Sequence, residues 1–261
     1  MLTSLLTVAV GVAIGFPLLI WLMQDRLIFY PQTLAETRRA SLIRPFTESL
    51  FLQAPDGTRL HAWHVKAPGA APLVLYFGGN AEEVSWMIDE VIARTPGVSW
   101  LLVDYRGYGS SEGAPSEAAF AGDALLWHDH LAKSATKVFV FGRSLGSGVA
   151  VRLAAERPIA GVVLVAPFDS LVQVAKRYYP YLPVGLMLKH RFDSIGHAPK
   201  ISAPLLCLVA ARDEVIPPVH AQRLFDAWSG PKRWISLDGA THNDTDGRRD
   251  YWVSIKNFLN D

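Results

Sequence analysis

The feature that most constrains the fold is a regular alternation between short apolar runs and longer segments with a helical pattern. Six apolar runs occur, at residues 73–77, 100–104, 138–141, 162–166, 205–209 and 234–237. Uninterrupted apolar runs of this length are typical of strands that are buried on both faces of a sheet. Helical patterns separate them, at residues 82–94, 116–132, 145–157, 219–228 and 246–260. The alternation predicts a mainly parallel sheet flanked by helices, with a ligand site at the carboxyl ends of the strands.

Upstream of these runs, two segments have the pattern of an antiparallel hairpin. Residues 49–53 and 59–65 alternate apolar and polar side chains, and a Pro-Asp-Gly turn signature at residues 55–57 separates them. The hairpin brings the predicted sheet to eight strands. A chain of 261 residues with 50% hydrophobic content suits one domain with an appendage, and we expect the domain to span residues 27–261.

Charge and cysteine content exclude two classes of protein. The formal net charge is +1, and the scattered Lys and Arg residues form no basic stripe of the kind that a phosphate backbone requires. Nucleic acid is therefore not an expected partner. The single cysteine, Cys207, lies in an apolar run, so the chain cannot form an intramolecular disulfide.

The N-terminal segment departs most from a soluble domain. Residues 5–23 carry no ionisable side chain. As a helix rising about 1.5 Å per residue, the segment would reach roughly 28 Å, close to a bilayer core of about 30 Å. Trp21, Arg26 and Tyr30 suit a membrane interface. We therefore predict an uncleaved, single-pass membrane anchor over residues 1–26.

Two other interpretations of this segment remain open. A secretory signal peptide would need a Lys or Arg before the apolar stretch and a clear cleavage site after it, and the sequence has neither. An apolar helix docked on the catalytic domain or on a partner protomer fits the same residues. For a membrane anchor, Arg26, Arg38 and Arg39 follow the segment, so the positive-inside rule favours the cytoplasm for the rest of the chain.

A nucleophile motif lies between a predicted strand and a predicted helix. Residues 142–146 read Gly-Arg-Ser-Leu-Gly and fill the pattern Gly-x-Ser-x-Gly. A turn this sharp exposes the hydroxyl of Ser144 and needs small residues two positions to either side. Leu145 N–H, at the helix N-terminus, is predicted to stabilise an oxyanion. A glycine-rich turn without a catalytic role is the alternative.

Two downstream residues are candidates to activate this serine. A serine hydroxyl needs a base within hydrogen-bond reach, and the base needs an acceptor that orients it. Asp213 follows the seventh predicted strand and His242 follows the eighth, which gives the chain order Ser, Asp, His expected for a sheet of this type. We predict Ser144 as nucleophile, His242 as general base and Asp213 as the orienting acid. Asp169 and Glu214 remain alternative acids.

The loop after the third predicted strand offers a second oxyanion donor. Phe77 is followed there by Gly78, Gly79 and Asn80. We predict Asn80 N–H as the donor, because the two glycines let the backbone approach the reacting carbonyl. Gly79 is also predicted to contact the substrate. A glycine turn that only forms the strand-to-helix corner would use the same residues.

Six segments together resemble the BEM46-like family of α/β-hydrolases. They are residues 75–81, 104–113, 142–148, 175–181, 191–194 and 212–217, and the resemblance covers nearly the whole chain. It implies the α/β-hydrolase fold, catalysis by Ser144, Asp213 and His242, oxyanion amides from Asn80 and Leu145, and no metal or other cofactor. Proteins resembling this one are typically single-pass membrane proteins described as serine esterases, lipases or depalmitoylating thioesterases.

The chain departs from that family in one loop. Where related proteins usually read His-Gly-Asn, residues 78–80 read Gly-Gly-Asn. The imidazole that commonly buttresses this loop is missing. We therefore expect the loop to be less rigid and Asn80 to be a weaker oxyanion donor.

The insertion between the sixth and seventh predicted strands, at about residues 168–203, is the usual position of a small cap. It is short and rich in apolar and aromatic side chains. Tyr178, Tyr179 and Leu182 are predicted to contact the substrate. The simplest hypothesis is a site that accepts acyl chains of lipids or lipidated molecules at a membrane, as esters or thioesters. Tyrosines that only cover the core are the alternative.

The predicted chemistry is hydrolysis of carboxylic esters through an acyl-enzyme on Ser144. The same residues would serve a thioesterase, a depalmitoylase or a prolyl-peptidase-like enzyme, so these alternatives stay open. A non-enzymatic, membrane-tethered scaffold that has kept the fold is an alternative from another class of protein.

Overall fold

A sheet of eight strands organises the chain. The computed structural model describes the backbone of residues 2–261 and the side chains of residues 15–261. The strands are β1 (Thr47–Gln53), β2 (Arg59–Val65), β3 (Leu73–Phe77), β4 (Ser99–Asp104), β5 (Val138–Arg143), β6 (Gly161–Val165), β7 (Leu205–Ala210) and β8 (Lys232–Leu237). Their order across the sheet is β1-β2-β4-β3-β5-β6-β7-β8. All eight predicted strands are therefore present.

The sheet is mixed rather than purely parallel. Two pairings, β1 with β2 and β2 with β4, are antiparallel, and the other five are parallel. Antiparallel neighbours can be joined by a tight turn, whereas parallel neighbours need a crossover connection. The turn between β1 and β2 contains Gly57 at a φ of +84°, a conformation that glycine adopts without steric cost. The predicted hairpin thus forms the antiparallel edge of a mainly parallel sheet.

Helices follow the strands in the predicted alternation. The described residues form α1 (Leu2–Ile28), α2 (Glu36–Leu42), α3 (Met87–Arg94), α4 (Glu117–Leu131), α5 (Leu145–Glu156), α6 (Leu171–Tyr178), α7 (Val184–Met187), α8 (Ser194–His197), α9 (Pro218–Ala227) and α10 (Arg249–Asn260). The helix predicted at 82–94 is divided, because a 3₁₀ turn at Val84–Trp86 precedes α3. The Glu83 carboxylate accepts a hydrogen bond from Ser85 N–H and caps that turn.

The hydrophobic core lies on both faces of the sheet, which explains the uninterrupted apolar runs. Along β3, Leu73, Leu75 and Phe77 point into one core cluster, and Val74 and Tyr76 point into the other. Residues of α4 and α5 complete the first cluster, and residues of α3 and α10 complete the second. Because helices cover both faces, each inner strand must be apolar at successive positions rather than at alternate ones.

The N-terminal segment forms α1, but the predicted membrane anchor is not confirmed. Residues 1–14 of that predicted anchor lie outside the residues whose side chains are described. Within residues 15–261, no helical stretch is both long and apolar enough to cross a membrane. The insertion at 168–203, predicted as a cap, contains α6, α7 and α8.

Candidate active site

Ser144 occupies the turn between β5 and α5. Its backbone angles are φ +50° and ψ −117°, a region that non-glycine residues rarely adopt. The backbone N–H of Ser144 donates to the Val165 carbonyl oxygen at 2.9 Å, which holds the turn against the neighbouring strand. The residue is 8% exposed. Strain of this kind is typical of a turn that projects one side chain beyond the end of a sheet.

The two glycines of the motif make room for that turn. A Cβ added to Gly142 would collide with the backbone of Gly146 and Ser147. A Cβ added to Gly146 would collide with the carbonyl oxygens of Phe77 and Gly78. Both positions therefore require glycine because backbone, not a movable side chain, fills the adjacent space.

Three side chains form one hydrogen-bonded line at this turn. His242 Nε2 lies 2.9 Å from Ser144 Oγ, and His242 Nδ1 lies 2.8 Å from Asp213 Oδ2. The other carboxylate oxygen, Asp213 Oδ1, accepts the backbone N–H groups of Val215 at 2.9 Å and Ile216 at 2.7 Å. The structure thus brings together the three residues predicted as the catalytic triad. Those two backbone bonds fix the orientation of the Asp213 carboxylate.

The loops that carry Asp213 and His242 are joined to each other. Asp213 follows β7 and His242 follows β8, so both come from the carboxyl ends of neighbouring parallel strands. Arg212 N–H donates to the Ala240 carbonyl oxygen at 2.8 Å, which links the two loops directly. Gly239, at a φ of +69°, allows the turn that leads to the histidine. The spacing of the imidazole and the carboxylate is therefore set by backbone contacts.

Neither alternative acid contacts His242 in the described residues. Asp169 is buried, and its Oδ1 lies 2.8 Å from His220 Nδ1 while its Oδ2 accepts a bond from Arg223 at 3.2 Å. Glu214 is exposed, and its backbone carbonyl accepts a hydrogen bond from the Tyr178 hydroxyl. The acid that contacts His242 is Asp213.

A second Ser–His–Asp line joins the hairpin to β4, but its setting differs. His61 Nε2 lies 2.8 Å from Ser49 Oγ, and His61 Nδ1 lies 2.6 Å from Asp104 Oδ2. Ser49 lies within β1 and accepts a hydrogen bond from Arg39 at 2.9 Å. The chain after Ser49 continues as β1 to Gln53, so no helix begins directly after it as α5 does after Ser144. These contacts tie the antiparallel strands together, which is a structural role.

The residues predicted as oxyanion donors line the same cavity as Ser144. Leu145 is the first residue of α5, so its N–H has no acceptor one turn earlier in the helix, and it lies at the positive end of the helix dipole. Asn80, Leu145 and Ser144 line the same cavity. A Cβ added to Gly79 would lie 3.6 Å from the Ser144 Cβ, so the loop after β3 passes next to the serine.

The side chain of Asn80 anchors this loop. Its Nδ2 donates to the Ile28 carbonyl oxygen at 2.5 Å. Its Oδ1 accepts the Tyr30 backbone N–H at 3.1 Å and the Tyr108 hydroxyl at 2.8 Å. The loop is therefore fastened to the segment that follows α1.

Glu82 supports the loop that lacks the expected imidazole. Its Oε2 accepts Gly79 N–H at 2.6 Å and Arg143 Nη1 at 3.0 Å. Its Oε1 accepts the Tyr76 hydroxyl at 2.5 Å and Trp86 Nε1 at 3.1 Å. Four donors thus hold one buried carboxylate. From the missing imidazole we expected a loop without this kind of support, but the Glu82 carboxylate supplies it.

Arg143 connects this support to the histidine loop. Its Nη2 lies 3.4 Å from both the His242 carbonyl oxygen and Asn243 Oδ1. Burial lowers the pKa of Arg143, but the Glu82 carboxylate and the buried Tyr76 and Tyr251 outweigh that effect, so the pKa is raised overall. The guanidinium therefore stays charged between the two loops. Sequence reasoning missed both residues of this pair.

Substituting Glu82 with glutamine is expected to lower kcat for a short ester about tenfold to a hundredfold with little change in KM. The amide cannot pair with the buried Arg143 charge, and hydrogen bonds to charged groups contribute about 1.5–3 kcal/mol. Steady-state kinetics with p-nitrophenyl butyrate measures both constants. The matched control is Glu83→Gln, because among the described residues the Glu83 carboxylate accepts hydrogen bonds from Ser85 and none from Arg143. An unchanged kcat in a folded Glu82→Gln protein would refute this role.

A cavity of about 650 Å³ extends from Ser144. Its lining includes Tyr178, Tyr179 and Leu182, the residues predicted to contact a substrate. Gly79 is not among the lining residues, and its N–H is already donated to Glu82. Within the described residues, no cluster of His, Cys, Asp and Glu side chains is arranged to hold a metal ion.

Comparisons with known proteins identify relatives over most of the chain. A family model described as Hydrolase_4, serine aminopeptidase S33, matches residues 70–190. An uncharacterised protein of Mycobacterium tuberculosis is 36% identical, over 91% of this chain and 88% of its own length. An uncharacterised membrane protein of Saccharomyces cerevisiae is 33% identical over 81% of this chain and 79% of its own. The protein bem46 of Schizosaccharomyces pombe is 29% identical over 95% and 88%.

Solved structures share the fold at low sequence identity. An esterase of Pyrococcus furiosus superposes with a TM-score of 0.69 at 17% identity, covering 89% of this chain and 97% of that one. Acetyl xylan esterase 1 of a Thermoanaerobacterium species superposes with a TM-score of 0.68 at 18% identity, covering 83% and 84%. These likenesses show that the sheet and its helices form an α/β-hydrolase fold.

Proposed function

The chain belongs to the BEM46-like family of α/β-hydrolases, and from that premise we propose that it is a serine esterase that hydrolyses carboxylic esters through an acyl-enzyme on Ser144. The observation that carries the proposal is the line from Ser144 Oγ through His242 to Asp213, with contacts of 2.9 and 2.8 Å. This arrangement is the one by which a weak hydroxyl nucleophile is activated at neutral pH.

The first half of the proposed reaction forms the acyl-enzyme. Ser144 Oγ attacks the carbonyl carbon of the ester as His242 Nε2 takes the hydroxyl proton. Asp213 holds the Nδ1 proton of His242 and stabilises the imidazolium that forms. The tetrahedral oxyanion is stabilised by Leu145 N–H and Asn80 N–H. When the intermediate collapses, the bond to the leaving alcohol breaks, and the alcohol takes the proton from His242.

The second half releases the acid. A water molecule attacks the acyl carbon as His242 Nε2 takes its proton, and the same two amides stabilise the second oxyanion. Collapse breaks the bond to Ser144 Oγ, which recovers its proton from His242. The products are a carboxylic acid and the free enzyme, and no metal or other cofactor is required.

The cavity supports an acyl substrate. Pockets of about 300–1,000 Å³ with mostly apolar walls and a few convergent polar groups are typical of small-molecule sites. In this proposal Tyr178, Tyr179 and Leu182 contact the acyl chain, and Gly79 lets the oxyanion loop approach the carbonyl. The helices α6, α7 and α8 act as a small cap on a catalytic domain that spans residues 27–261.

A substrate panel tests this function against its alternatives. The matched substrates are an ester, a thioester and a prolyl amide that carry the same fluorogenic or chromogenic readout. We expect turnover of the ester and of the thioester, because both leaving groups depart readily from the same tetrahedral intermediate. A protein that cleaves only the amide would be peptidase-like. A protein that turns over none of the three would contradict the proposed function.

The proposal includes a membrane location. We propose that α1 anchors the catalytic domain by a single pass, with the cytoplasm as the favoured side. The yeast relative is named a membrane protein, and α1 exposes Phe16, Leu18, Leu19 and Leu22. The full chain is expected to stay with membranes washed at alkaline pH, and its release by that wash would argue against the anchor.

A further inference from the structure

The C-terminal half of α1 is docked on the cap. Gln24 is 4% exposed, and its Nε2 donates to the Met187 carbonyl oxygen at 3.2 Å. Its Oε1 accepts the Lys189 backbone N–H at 2.7 Å. A buried amide that exchanges hydrogen bonds with a distant segment in both directions fixes the two segments relative to each other.

Charged and aromatic contacts reinforce this docking. Asp25 Oδ1 lies 2.8 Å from His190 Nε2. The Lys189 ammonium lies 4.3 Å from the centroid of the Trp21 ring, within the range of a cation–π interaction. Consecutive residues of the helix therefore contact consecutive residues of the segment after α7.

The docked helix forms part of the wall of the cavity at Ser144. Ile20, Gln24, Leu27 and Ile28 line the cavity together with residues of α6 and α7. These residues occupy positions i, i+4, i+7 and i+8, which lie on one face of a helix. Leu22, which is 59% exposed, does not line the cavity. One face of α1 therefore belongs to the same cavity as the nucleophile.

The part of the cavity wall that lies away from Ser144 suits an apolar ligand. Glu214 is the only charged residue among the described residues that line the cavity. The amide of Gln24 is committed to Met187 and Lys189, and the Tyr178 hydroxyl lies 2.7 Å from the Glu214 carbonyl oxygen. Few hydrogen-bonding groups are left for a polar substrate, whereas an alkyl chain needs none.

The end of α1 also contacts the loop of the proposed oxyanion donor. Ile28, the last residue of the helix, accepts the hydrogen bond from Asn80 Nδ2, and Tyr30 N–H donates to Asn80 Oδ1. The same helix thus lines the cavity with one face and holds the oxyanion loop with its last turn.

We propose that α1 is part of the substrate site, and that its inner face is a wall of the acyl-chain pocket and sets the enzyme's preference for medium and long acyl chains. This inference rests on the proposed esterase function. Each methylene that the pocket buries in the transition state should raise kcat/KM about fourfold, which corresponds to about 0.8 kcal/mol. The rise should continue until the pocket is filled.

The test compares two tryptophan substitutions on opposite faces of one helix. Ile20→Trp fills the pocket from the α1 side, and Leu22→Trp adds the same bulk on the exposed face as the matched control. Leu27→Trp repeats the obstruction at a second lining position. The full chain in mild detergent is assayed with p-nitrophenyl acetate, butyrate and octanoate. The readout is the ratio of kcat/KM for octanoate to that for acetate, because a general loss of activity cancels in the ratio.

We expect the ratio to fall about tenfold or more in Ile20→Trp or Leu27→Trp, because each indole excludes several methylenes, and to keep its wild-type value in Leu22→Trp. Ratios that stay at the wild-type value in both lining variants would overturn the role of α1 and leave the esterase function intact. An equal fall in Leu22→Trp would also overturn it. If the wild-type protein hydrolyses none of the three esters, the proposed esterase function is itself refuted.

Discussion

Replacing Ser144 with alanine is expected to lower kcat for p-nitrophenyl butyrate about a millionfold, the loss typical of the nucleophile in a Ser–His–Asp hydrolase. The substitution removes only the hydroxyl oxygen that lies 2.9 Å from His242 Nε2. Alanine keeps the Cβ, so the strained backbone at a φ of +50° carries the same steric cost, and the fold should persist.

The hairpin supplies the matched control. Ser49 also contacts a histidine that contacts an aspartate, so Ser49→Ala makes the same chemical change in the other Ser–His–Asp line. Steady-state turnover, with circular dichroism to check folding, compares the two variants. Ser49→Ala should retain wild-type turnover. Retained turnover in Ser144→Ala, or its loss only in Ser49→Ala, would place the nucleophile elsewhere.

Replacing Asp213 with asparagine is expected to lower kcat about ten-thousandfold. Two backbone N–H groups, from Val215 and Ile216, fix the acceptor oxygen Oδ1, so the new amide NH₂ must face His242 Nδ1. Nδ1 must then accept a hydrogen bond, and the imidazole proton moves to Nε2, which faces Ser144. A histidine in that tautomer cannot take the serine proton.

The control for this substitution is the other candidate acid. Asp169→Asn makes the same change in a carboxylate that contacts His220 and Arg223. It should alter stability more than kcat, because no part of that cluster contacts His242. Measured kcat and the free energy of unfolding for both variants separate these effects. A large loss of kcat in Asp169→Asn with little loss in Asp213→Asn would reverse the assignment of the acid.

The strands were predictable because helices cover both faces of the sheet, which makes the inner strands continuously apolar. Two of the boundary errors have a clear physical reason. β8 begins at Lys232 rather than at residue 234, because it is an edge strand and Lys232 and Arg233 are exposed. β5 runs on to Arg143, a charged residue that an apolar pattern excludes.

The candidate triad was predictable because parallel strands end at one edge of a sheet. Loops after β5, β7 and β8 must therefore converge, so the positions of Ser144, Asp213 and His242 in the sequence were enough to predict their proximity. The catalytic roles of these residues remain predictions, which the substitutions above test.

The supporting contacts were not predictable from local patterns. Glu82 and Arg143 lie 61 residues apart in the chain, and a Glu on one loop and an Arg on another carry no signal that they will pair. The docking of Gln24 on Met187 and Lys189 joins segments more than 160 residues apart. Such contacts depend on how loops and helices pack once the sheet has formed.

Labelling with a fluorophosphonate probe, followed by mass spectrometric mapping of the modified peptide, tests most directly whether Ser144 is the activated nucleophile. The serine oxygen would displace fluoride from phosphorus and form a stable covalent adduct. We predict one adduct, on Ser144, that is absent in Ser144→Ala and forms far more slowly in Asp213→Asn. An unlabelled wild-type protein, or an adduct on Ser49 in place of Ser144, would contradict the assignment of Ser144 as the activated nucleophile.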